Sequence, residues 1–247
     1  MTSIIEVQGV SKSFGGVVAN QDISMTVNSG TITGLIGPNG SGKTTLFNSI
    51  VGYHPIDGGS IQFEGEEISR LSVQQIARRG LLRTFQQTRI YGAMTGVENM
   101  LISLPHRKMS IWDALKTYTK EDYERADHLL EFVGLYEKRL LKSGDLSFGQ
   151  QKLLEFAMAL MNEPTCLLLD EPTAGINPTL INGLIDRLKR ANTEFGITLF
   201  VIEHNMRVIM NMAETIYCLA HGELLAQGTP DEIQNDQRVI DAYLGAH

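Results

Sequence analysis

The chain has 247 residues and a formal net charge of -7, and 43% of its residues are hydrophobic while 20% are charged. This apolar content is enough to build a core, so the composition excludes a disordered or fibrous polypeptide and favours one domain, at most with a subdomain. The acidic balance argues against nonspecific binding to nucleic acid or to an anionic bilayer, both of which attract net positive charge. A local pocket for a small polyanion is compatible with it.

The two cysteines, Cys166 and Cys218, lie inside apolar runs. They are expected to be buried strand thiols in a reducing compartment, because disulfide frameworks bring more cysteines. No window reaches the 18 or so apolar residues of a membrane helix, and the N-terminus lacks the basic start and apolar core of a signal peptide. We expect a cytosolic chain, anchored by another protein if it works at a membrane.

The first third of the sequence predicts short strands. Residues 5–10 and 22–27 alternate apolar and polar side chains, and residues 31–36 form a more continuous apolar strand. That strand runs into a glycine-rich stretch, after which a helix from Lys43 to about Val51 is expected. A further strand, 60–63, follows Gly58 and Gly59.

The rest of the chain predicts an α/β core with an insertion. Helical periodicity runs from about 97 to 135, and buried strands alternate with helices after Pro164, which is typical of a mostly parallel sheet. We therefore expect a single domain over 1–247, with an N-terminal antiparallel β element and an inserted α-helical subdomain at about 88–163. The apolar stripe of the insertion is Tyr123, Ala126, Leu129, Leu130 and Val133. The later elements expected are strands 166–169 and 198–202 and helices at 180–195 and from Asn205.

A phosphate-binding loop is predicted between the third strand and the first helix. Residues 37–44 fit the pattern G-x-x-x-x-G-K-[ST] at every position. Glycines let backbone N–H groups curl around an anion, and the helix N-terminus adds its dipole. Lys43 is expected to reach the β and γ phosphates, and the Thr44 hydroxyl to ligate Mg²⁺. The nucleotide-binding residues expected here are Gly37, Pro38, Asn39, Gly40, Ser41, Gly42, Lys43, Thr44 and Thr45.

An acidic pair follows the apolar strand at 166–169. The carboxyl ends of strands in open α/β sheets are where ligands bind, so Asp170 and Glu171 are expected to face the phosphates. Asp170 suits Mg²⁺, a cation that prefers oxygen ligands, and Glu171 can act as a general base on the attacking water. Together with the phosphate loop, the pair predicts a P-loop nucleoside triphosphatase that hydrolyses ATP.

Further motifs separate the subclasses of P-loop enzymes. Residues 146–150, Leu-Ser-Phe-Gly-Gln, with the amphipathic helix 151–162 after them, resemble the signature motif of ATP-binding-cassette (ABC) ATPases. Gln86 matches the glutamine of the family's Q-loop, His204 its switch histidine, and Phe14 the aromatic residue that stacks on adenine. Residues 174–178 match its D-loop. With these motifs in the family's order, the chain is identified as a member of the ABC transporter ATPase subunits.

The resemblance implies a site shared by two subunits. The signature residues, expected to contact the ATP held by a partner's phosphate loop, are Ser147, Phe148, Gly149 and Gln150. The implied ligands of Mg²⁺ are Thr44, Gln86 and Asp170, and the implied catalytic residues are Glu171 and His204. Gln87 competes with Gln86 for the same role, and Gln86 is preferred because the family's glutamine directly follows a phenylalanine. The remaining histidines are expected to be surface residues: His54, His106, His128, His221 and His247.

Two departures from the family pattern point to a subfamily. Phe148 replaces the usual second glycine of the signature, and Asn177 stands where many members carry the aspartate of the D-loop. We expect the phosphate contacts to fall to Ser147 and Gly149, with Phe148 pointing elsewhere. The aromatic residue in the signature, residues 174–178, residues 83–86 (Arg-Thr-Phe-Gln) and residues 239–245 (Val-Ile-Asp-Ala-Tyr-Leu-Gly) resemble the ATPases of branched-chain amino acid importers. Related systems carry urea, short amides or other hydrophobic and polar amino acids.

The resemblance also implies partners. These are transmembrane permease subunits, a second ATPase subunit that is identical or different, and a solute-binding protein acting indirectly, with the chain peripheral on the cytoplasmic side of the membrane. Tyr91 and Met94, after the Q-loop, are candidates for the permease contact, because aromatic residues and Met are enriched in interface cores. No nucleic acid partner is expected.

Other functions remain as alternatives. A soluble ABC ATPase of DNA repair or translation would need a coiled-coil insertion, or two cassettes joined by a basic linker, whereas this chain has one phosphate loop and net negative charge. A regulatory module without turnover would lack the catalytic carboxylate, but Glu171 is present. Within transport, an exporter of the lipopolysaccharide type is the nearest alternative.

Overall fold

The computed structural model describes residues 2–84, 90–104 and 118–244. Its strands are β1 (Ser3–Phe14), β2 (Val17–Asn28), β3 (Ile32–Ile36), β4 (Gly58–Phe63), β5 (Glu66–Glu67), β6 (Leu81–Arg83), β7 (Cys166–Asp170), β8 (Thr198–Ile202), β9 (Thr215–Ala220) and β10 (Glu223–Gly228). Its helices are α1 (Lys43–Ile50), α2 (Val73–Ala77), α3 (Gly96–Ile102), α4 (Lys120–Phe132), α5 (Phe148–Leu160), α6 (Pro178–Phe195), α7 (Met206–Met212), α8 (Pro230–Asn235) and α9 (Gln237–Leu244).

Two sheets form the first of two compact units, which comprises the described parts of Met1–Arg83, Thr165–Thr173 and Leu188–His247. The larger sheet has the order β10-β9-β3-β8-β7-β6, with parallel pairing from β9 to β6 and β10 antiparallel at one edge. The smaller sheet, β2-β1-β4-β5, is antiparallel throughout. These observations confirm the fold class expected from the sequence.

The burial of the strands in this unit explains why some of them are continuous apolar runs in the sequence. All residues of β3, β7 and β8 are buried, as expected for parallel strands covered on both faces. Helix α1 packs into the same core, where the rings of Phe47 and Phe200 lie 4.7 Å apart. The antiparallel β1 and β2 instead alternate buried and exposed residues. Cys166 and Cys218 are buried, unpaired thiols of β7 and β9.

The second unit is helical and comprises the described parts of Thr84–Pro164 and Ala174–Arg187. Helices α3, α4 and α5 pack on one another, and each carries a fully buried apolar residue: Met100, Leu130 and Leu154. Asn99, also fully buried, donates to the carbonyl oxygens of Tyr91 and Thr95 and accepts the N–H of Tyr91 at 2.8 Å. The turn that carries Tyr91 is thereby fixed to α3.

Most expected elements are present, with local differences. Strand 198–202 has the bounds predicted, whereas the helix expected at 151–162 begins three residues earlier, at Phe148, because Ser147 caps it. Tyr123, placed on the apolar stripe, is 44% exposed, while Ala126, Leu129, Leu130 and Val133 are buried. Among the described residues, no helix is long and apolar enough to span a bilayer.

Candidate functional site

The loop from Gly37 to Gly42 connects β3 to α1 and has a backbone that favours glycine at three positions. Gly37, Gly40 and Gly42 have φ angles of 146°, 79° and 98°. A Cβ on Gly37 would lie 2.1 Å from the carbonyl oxygen of Leu219, and one on Gly42 would lie 2.3 Å from that of Ala19. The loop therefore packs directly against neighbouring backbone, with no room for side chains at either end.

Helix α1 begins where this loop ends. Its first backbone bond runs from the N–H of Leu46 to the oxygen of Gly42, so the N–H groups of Lys43, Thr44 and Thr45 have no acceptor within the helix. Such first-turn amides, with the helix dipole, form an anion site. Thr44 is exposed, so its hydroxyl is accessible as an oxygen ligand.

The ammonium of Lys43 is buried inside the loop. Its Nζ donates to the carbonyl oxygens of Gly37 at 2.8 Å and Pro38 at 2.9 Å, and lies 3.4 Å from the Ser41 hydroxyl. Burial lowers the pKa of Lys43, and the nearby carboxylates of Glu171 and Asp170 oppose that effect. The loop thus holds a positive charge close to the end of β7.

Asp170 and Glu171 lie where the sequence places them, at the carboxyl end of β7. Asp170 is 4% exposed, and its Oδ2 accepts a hydrogen bond from Nη2 of Arg83 at 2.5 Å. The same guanidinium donates from Nη1 to Oδ1 of Asn48 on α1, also at 2.5 Å. Arg83 therefore ties Asp170 to α1, and one oxygen of Asp170 is already engaged.

The structure brings Glu171 and His204 together. Asp170 pairs with Ile202 in the register of β7 and β8, so the residues that follow both strands meet at one sheet edge. Oε1 of Glu171 lies 2.8 Å from Nε2 of His204, and both side chains remain partly exposed. Glu171 has a φ of 49°, uncommon outside glycine, and its N–H donates to the oxygen of Ile202. The pair is a carboxylate and an imidazole next to a charged phosphate loop.

Glu203 is a residue of this site that the sequence reasoning missed. It is 2% exposed, and Oε1 accepts hydrogen bonds from the N–H and hydroxyl of Thr173 at 3.0 and 2.5 Å. Oε2 accepts the N–H groups of His204 at 3.1 Å and Asn205 at 3.3 Å. One buried carboxylate therefore joins the loop after Glu171 to the loop that carries His204. The only sequence signal was an acidic residue directly after an apolar strand, which usually indicates a solvated turn.

Phe14 ends β1 and is 43% exposed, so it is not a core residue. Its ring makes an edge contact with His54, with centroids 5.1 Å apart, and the Nζ of Lys12 lies 5.2 Å from its centroid. Lys12 in turn pairs with Asp57 at 2.8 Å. An accessible, positioned aromatic face of this kind can stack on a base. His54, expected at the surface, is partly buried by this contact.

The signature residues begin α5 in the helical unit. The Ser147 hydroxyl accepts the N–H of Gln150 at 3.4 Å, and Oε1 of Gln150 accepts the N–H of Ser147 at 3.1 Å, a reciprocal cap. The first-turn N–H groups of Phe148 and Gly149 are then left without helical acceptors. Gln150 thus supports the helix start, while Ser147 and Gly149 lie at the N-terminal end of α5.

Both departures from the family pattern have local explanations. The Phe148 ring covers Gly175, where an added Cβ would lie 2.9 Å from the ring, and the φ of Gly175 is 74°. Asn177 accepts the N–H and hydroxyl of Thr179 at 3.1 and 2.9 Å, as a cap at the start of α6. An aspartate oxygen would accept the same bonds. Gln86 and Gln87 lie outside the described residues.

The fold and this loop define a P-loop ATP-binding protein, and comparison with known proteins gives the family. A family model described as "ABC transporter" matches residues 20–174, and one described as "Branched-chain amino acid ATP-binding cassette transporter" matches residues 223–247. The chain belongs to the ABC transporter family, as an ATP-binding-cassette ATPase.

Relatives match along almost the whole chain. This chain is 39% identical over 250 residues to the high-affinity branched-chain amino acid transport ATP-binding protein BraF of Pseudomonas aeruginosa, and the match covers 98% of each chain. Identity to LivG of Escherichia coli, which carries the same description, is 36% over 249 residues, again 98% of each. The crystal structure of the ADP conformation of an ATP-binding cassette of an ABC transporter has a TM-score of 0.89 and 33% identity, covering 99% of this chain and 100% of that one. The family resemblance expected from the sequence is confirmed.

The four hydrogen bonds that the Glu203 carboxylate accepts should matter for ATP hydrolysis. Glu203→Gln would present amide hydrogens to N–H donors and leave buried N–H groups unpaired, at a cost of about 1–3 kcal/mol each. We expect kcat for ATP hydrolysis to fall by about ten- to hundredfold, with KM for ATP changed by less than about threefold, because the phosphate loop is intact. Steady-state phosphate release measures both constants.

The matched control is Glu194→Gln, which removes a carboxylate paired with Arg190 on the exposed face of α6. Such a pair contributes about 0.3–0.5 kcal/mol, so this variant should keep the wild-type kcat. A normal kcat in Glu203→Gln, or an equal loss in both variants, would contradict a positioning role for Glu203.

Proposed function

We propose that the chain binds ATP with Mg²⁺ at the loop 37–44, hydrolyses it, and energises a membrane importer for branched-chain or related amino acids. In this proposal both compact units belong to one ATPase domain. The observation that carries hydrolysis is the contact of Glu171 with His204 beside the buried ammonium of Lys43. A module that only held nucleotide would not need a carboxylate and an imidazole together at this edge of the sheet.

The proposed roles follow from the chemistry of each group. Lys43 and the first-turn N–H groups of α1 hold the phosphates, and Phe14 stacks on adenine. The Nε2–H of His204 donates to the γ-phosphate, which frees the oxygen of Glu171 to accept a proton from the attacking water.

The oxygen ligands present fit Mg²⁺. The Thr44 hydroxyl is exposed at the start of α1, and Asp170 offers the carboxylate oxygen not bonded to Arg83. Gln86 is the third ligand in this proposal. Bound Mg²⁺ would supply positive charge to the β- and γ-phosphate oxygens.

The proposed site is completed by a second ATPase subunit, identical or different. The N-terminal end of α5, with Ser147 and Gly149, supplies first-turn N–H groups that suit the γ-phosphate of ATP held by the other subunit. Two chains related head to tail would then enclose two ATP molecules. Phe148 would hold this end of α5 against Gly175 rather than contact phosphate.

Replacing the proposed general base gives the direct test of hydrolysis. Glu171→Gln keeps the size and polarity of the side chain but removes its basicity. We expect ATP turnover to fall by about a hundredfold or more, ATP to remain bound, and an ATP-dependent dimer to accumulate. Phosphate release and size-exclusion chromatography with ATP measure these effects, and near-normal turnover would refute the role of Glu171.

The proposed transport role rests on the relatives' descriptions and on one exposed surface. The match of residues 223–247 favours an amino acid importer over the exporter alternative. Tyr91 is 55% exposed although its backbone is bound on both sides by Asn99, so its ring is held outward on a fixed turn. We assign Tyr91 and Met94 to the contact with transmembrane permease subunits. The chain would then be peripheral at the cytoplasmic face, with a solute-binding protein acting indirectly through the permeases.

Tyr91→Ala tests the permease contact. We expect recovery of permease subunits with the tagged chain, from gently solubilised native membranes, to fall at least about fivefold, since aromatic anchors contribute most at interfaces. The affinity of the isolated chain for ATP should not change. Tyr53→Ala is the control, because Tyr53 is 43% exposed but lies in the other unit. Equal recovery with Tyr91→Ala and wild type would remove Tyr91 from this contact.

A further inference from the structure

The last helix of the described chain contacts the first residue of the phosphate loop. The hydroxyl oxygen of Tyr243, on α9, accepts a hydrogen bond from the N–H of Gly37 at 2.8 Å. These residues are 206 positions apart in the sequence. The bond therefore joins the end of the chain to the loop proposed to hold the phosphates.

Among the glycines of the loop, Gly37 has the closest neighbouring backbone. Its carbonyl oxygen accepts the ammonium of Lys43 at 2.8 Å, and its Cα faces the carbonyl oxygen of Leu219 so closely that a Cβ would lie 2.1 Å from it. With a φ of 146°, Gly37 lies in a region open essentially to glycine alone. The Tyr243 hydroxyl satisfies the N–H of the same residue whose carbonyl holds Lys43.

Tyr243 is itself firmly placed. Burial raises the pKa of its phenol to about 12, so the hydroxyl stays neutral at physiological pH. Helix α9 is anchored by Val239, which is 2% exposed, and it packs against α8 and β10. The phenol oxygen is therefore a fixed acceptor for the loop.

We propose that Tyr243 is a positioning residue for nucleotide binding. It fixes Gly37, and through the Gly37 carbonyl it holds Lys43 in place. Without the hydroxyl, the loop would sample other conformations, and nucleotide binding would have to restore order to it. This inference rests on the proposed function of residues 37–44 as the phosphate-binding loop. Helix α9 then contributes to the affinity for ATP as well as to the packing of the unit.

Tyr243→Phe tests the inference, because it removes only the hydroxyl and keeps the ring. We expect the Kd for ATP to rise about tenfold, which corresponds to about 1.4 kcal/mol, with KM rising in parallel and kcat at saturating ATP within about twofold. Isothermal titration and steady-state phosphate release give these values. A role confined to packing would lower thermal stability without this split between KM and kcat.

Tyr217→Phe is the matched control. Tyr217 is buried, whereas Tyr243 is partly buried, and the Tyr217 hydroxyl accepts the N–H of Thr26 at 3.2 Å and donates to its carbonyl oxygen at 2.8 Å. The same atom is therefore lost from another backbone contact. We expect this variant to lose thermal stability but to bind ATP as the wild type does. If both variants weaken ATP binding equally, the inference is overturned.

Hydrogen exchange separates this inference from the proposed function. In the protein without nucleotide, Tyr243→Phe should raise the exchange rate of the Gly37 amide and its loop at least about tenfold over wild type, whereas Tyr217→Phe should not. Unchanged exchange in Tyr243→Phe overturns the positioning role even if the chain binds ATP. A third outcome is faster exchange in Tyr243→Phe while the wild-type chain binds no ATP. Tyr243 would then order the loop, but both its role in nucleotide binding and the proposed function would be refuted.

Discussion

The buried ammonium of Lys43 is the interaction on which the site depends. A cation taken out of water must be compensated, and here the loop carbonyls of Gly37 and Pro38 do so directly while Glu171 and Asp170 act from a distance. Those carbonyls can converge on Nζ only because the loop curls tightly between β3 and α1. The glycines and the close backbone contacts around them follow from that requirement.

The parallel sheet turns this loop into a chemical site. The register of β7 and β8 places the residues after both strands side by side, and the buried carboxylate of Glu203 then locks the two loops together. Arg83 likewise links Asp170 to α1 through its two hydrogen bonds. Hydrogen-bonded charges inside the protein thus fix the positions of the side chains at the sheet edge, while apolar burial fixes the strands that carry them.

The sequence predicted the strands, the phosphate loop and the acidic pair because each has a local pattern: an apolar run, spaced glycines, or carboxylates at a strand end. It could not predict the partners of Glu203, Arg83 and Tyr243, since those bonds join segments whose distance depends on sheet register and helix packing. In the sequence, Tyr243 stands out only as part of residues 239–245, which resemble the ending of the importer ATPases. Phe148 was expected to point away from phosphate, but that it covers Gly175 depends on the packing of the helical unit.

The proposed roles of all these side chains depend on the binding of ATP by residues 37–44 through Lys43. Titration of ATP into the purified chain, into Lys43→Ala and into Lys120→Ala tests this binding. Lys120 is the control, because its side chain is 84% exposed and pairs with Glu124 on the surface of α4. We expect one ATP per chain, a loss of affinity of about tenfold or more in Lys43→Ala, and no change in Lys120→Ala. Absence of binding in the wild type, or equal affinity in wild type and Lys43→Ala, would contradict it.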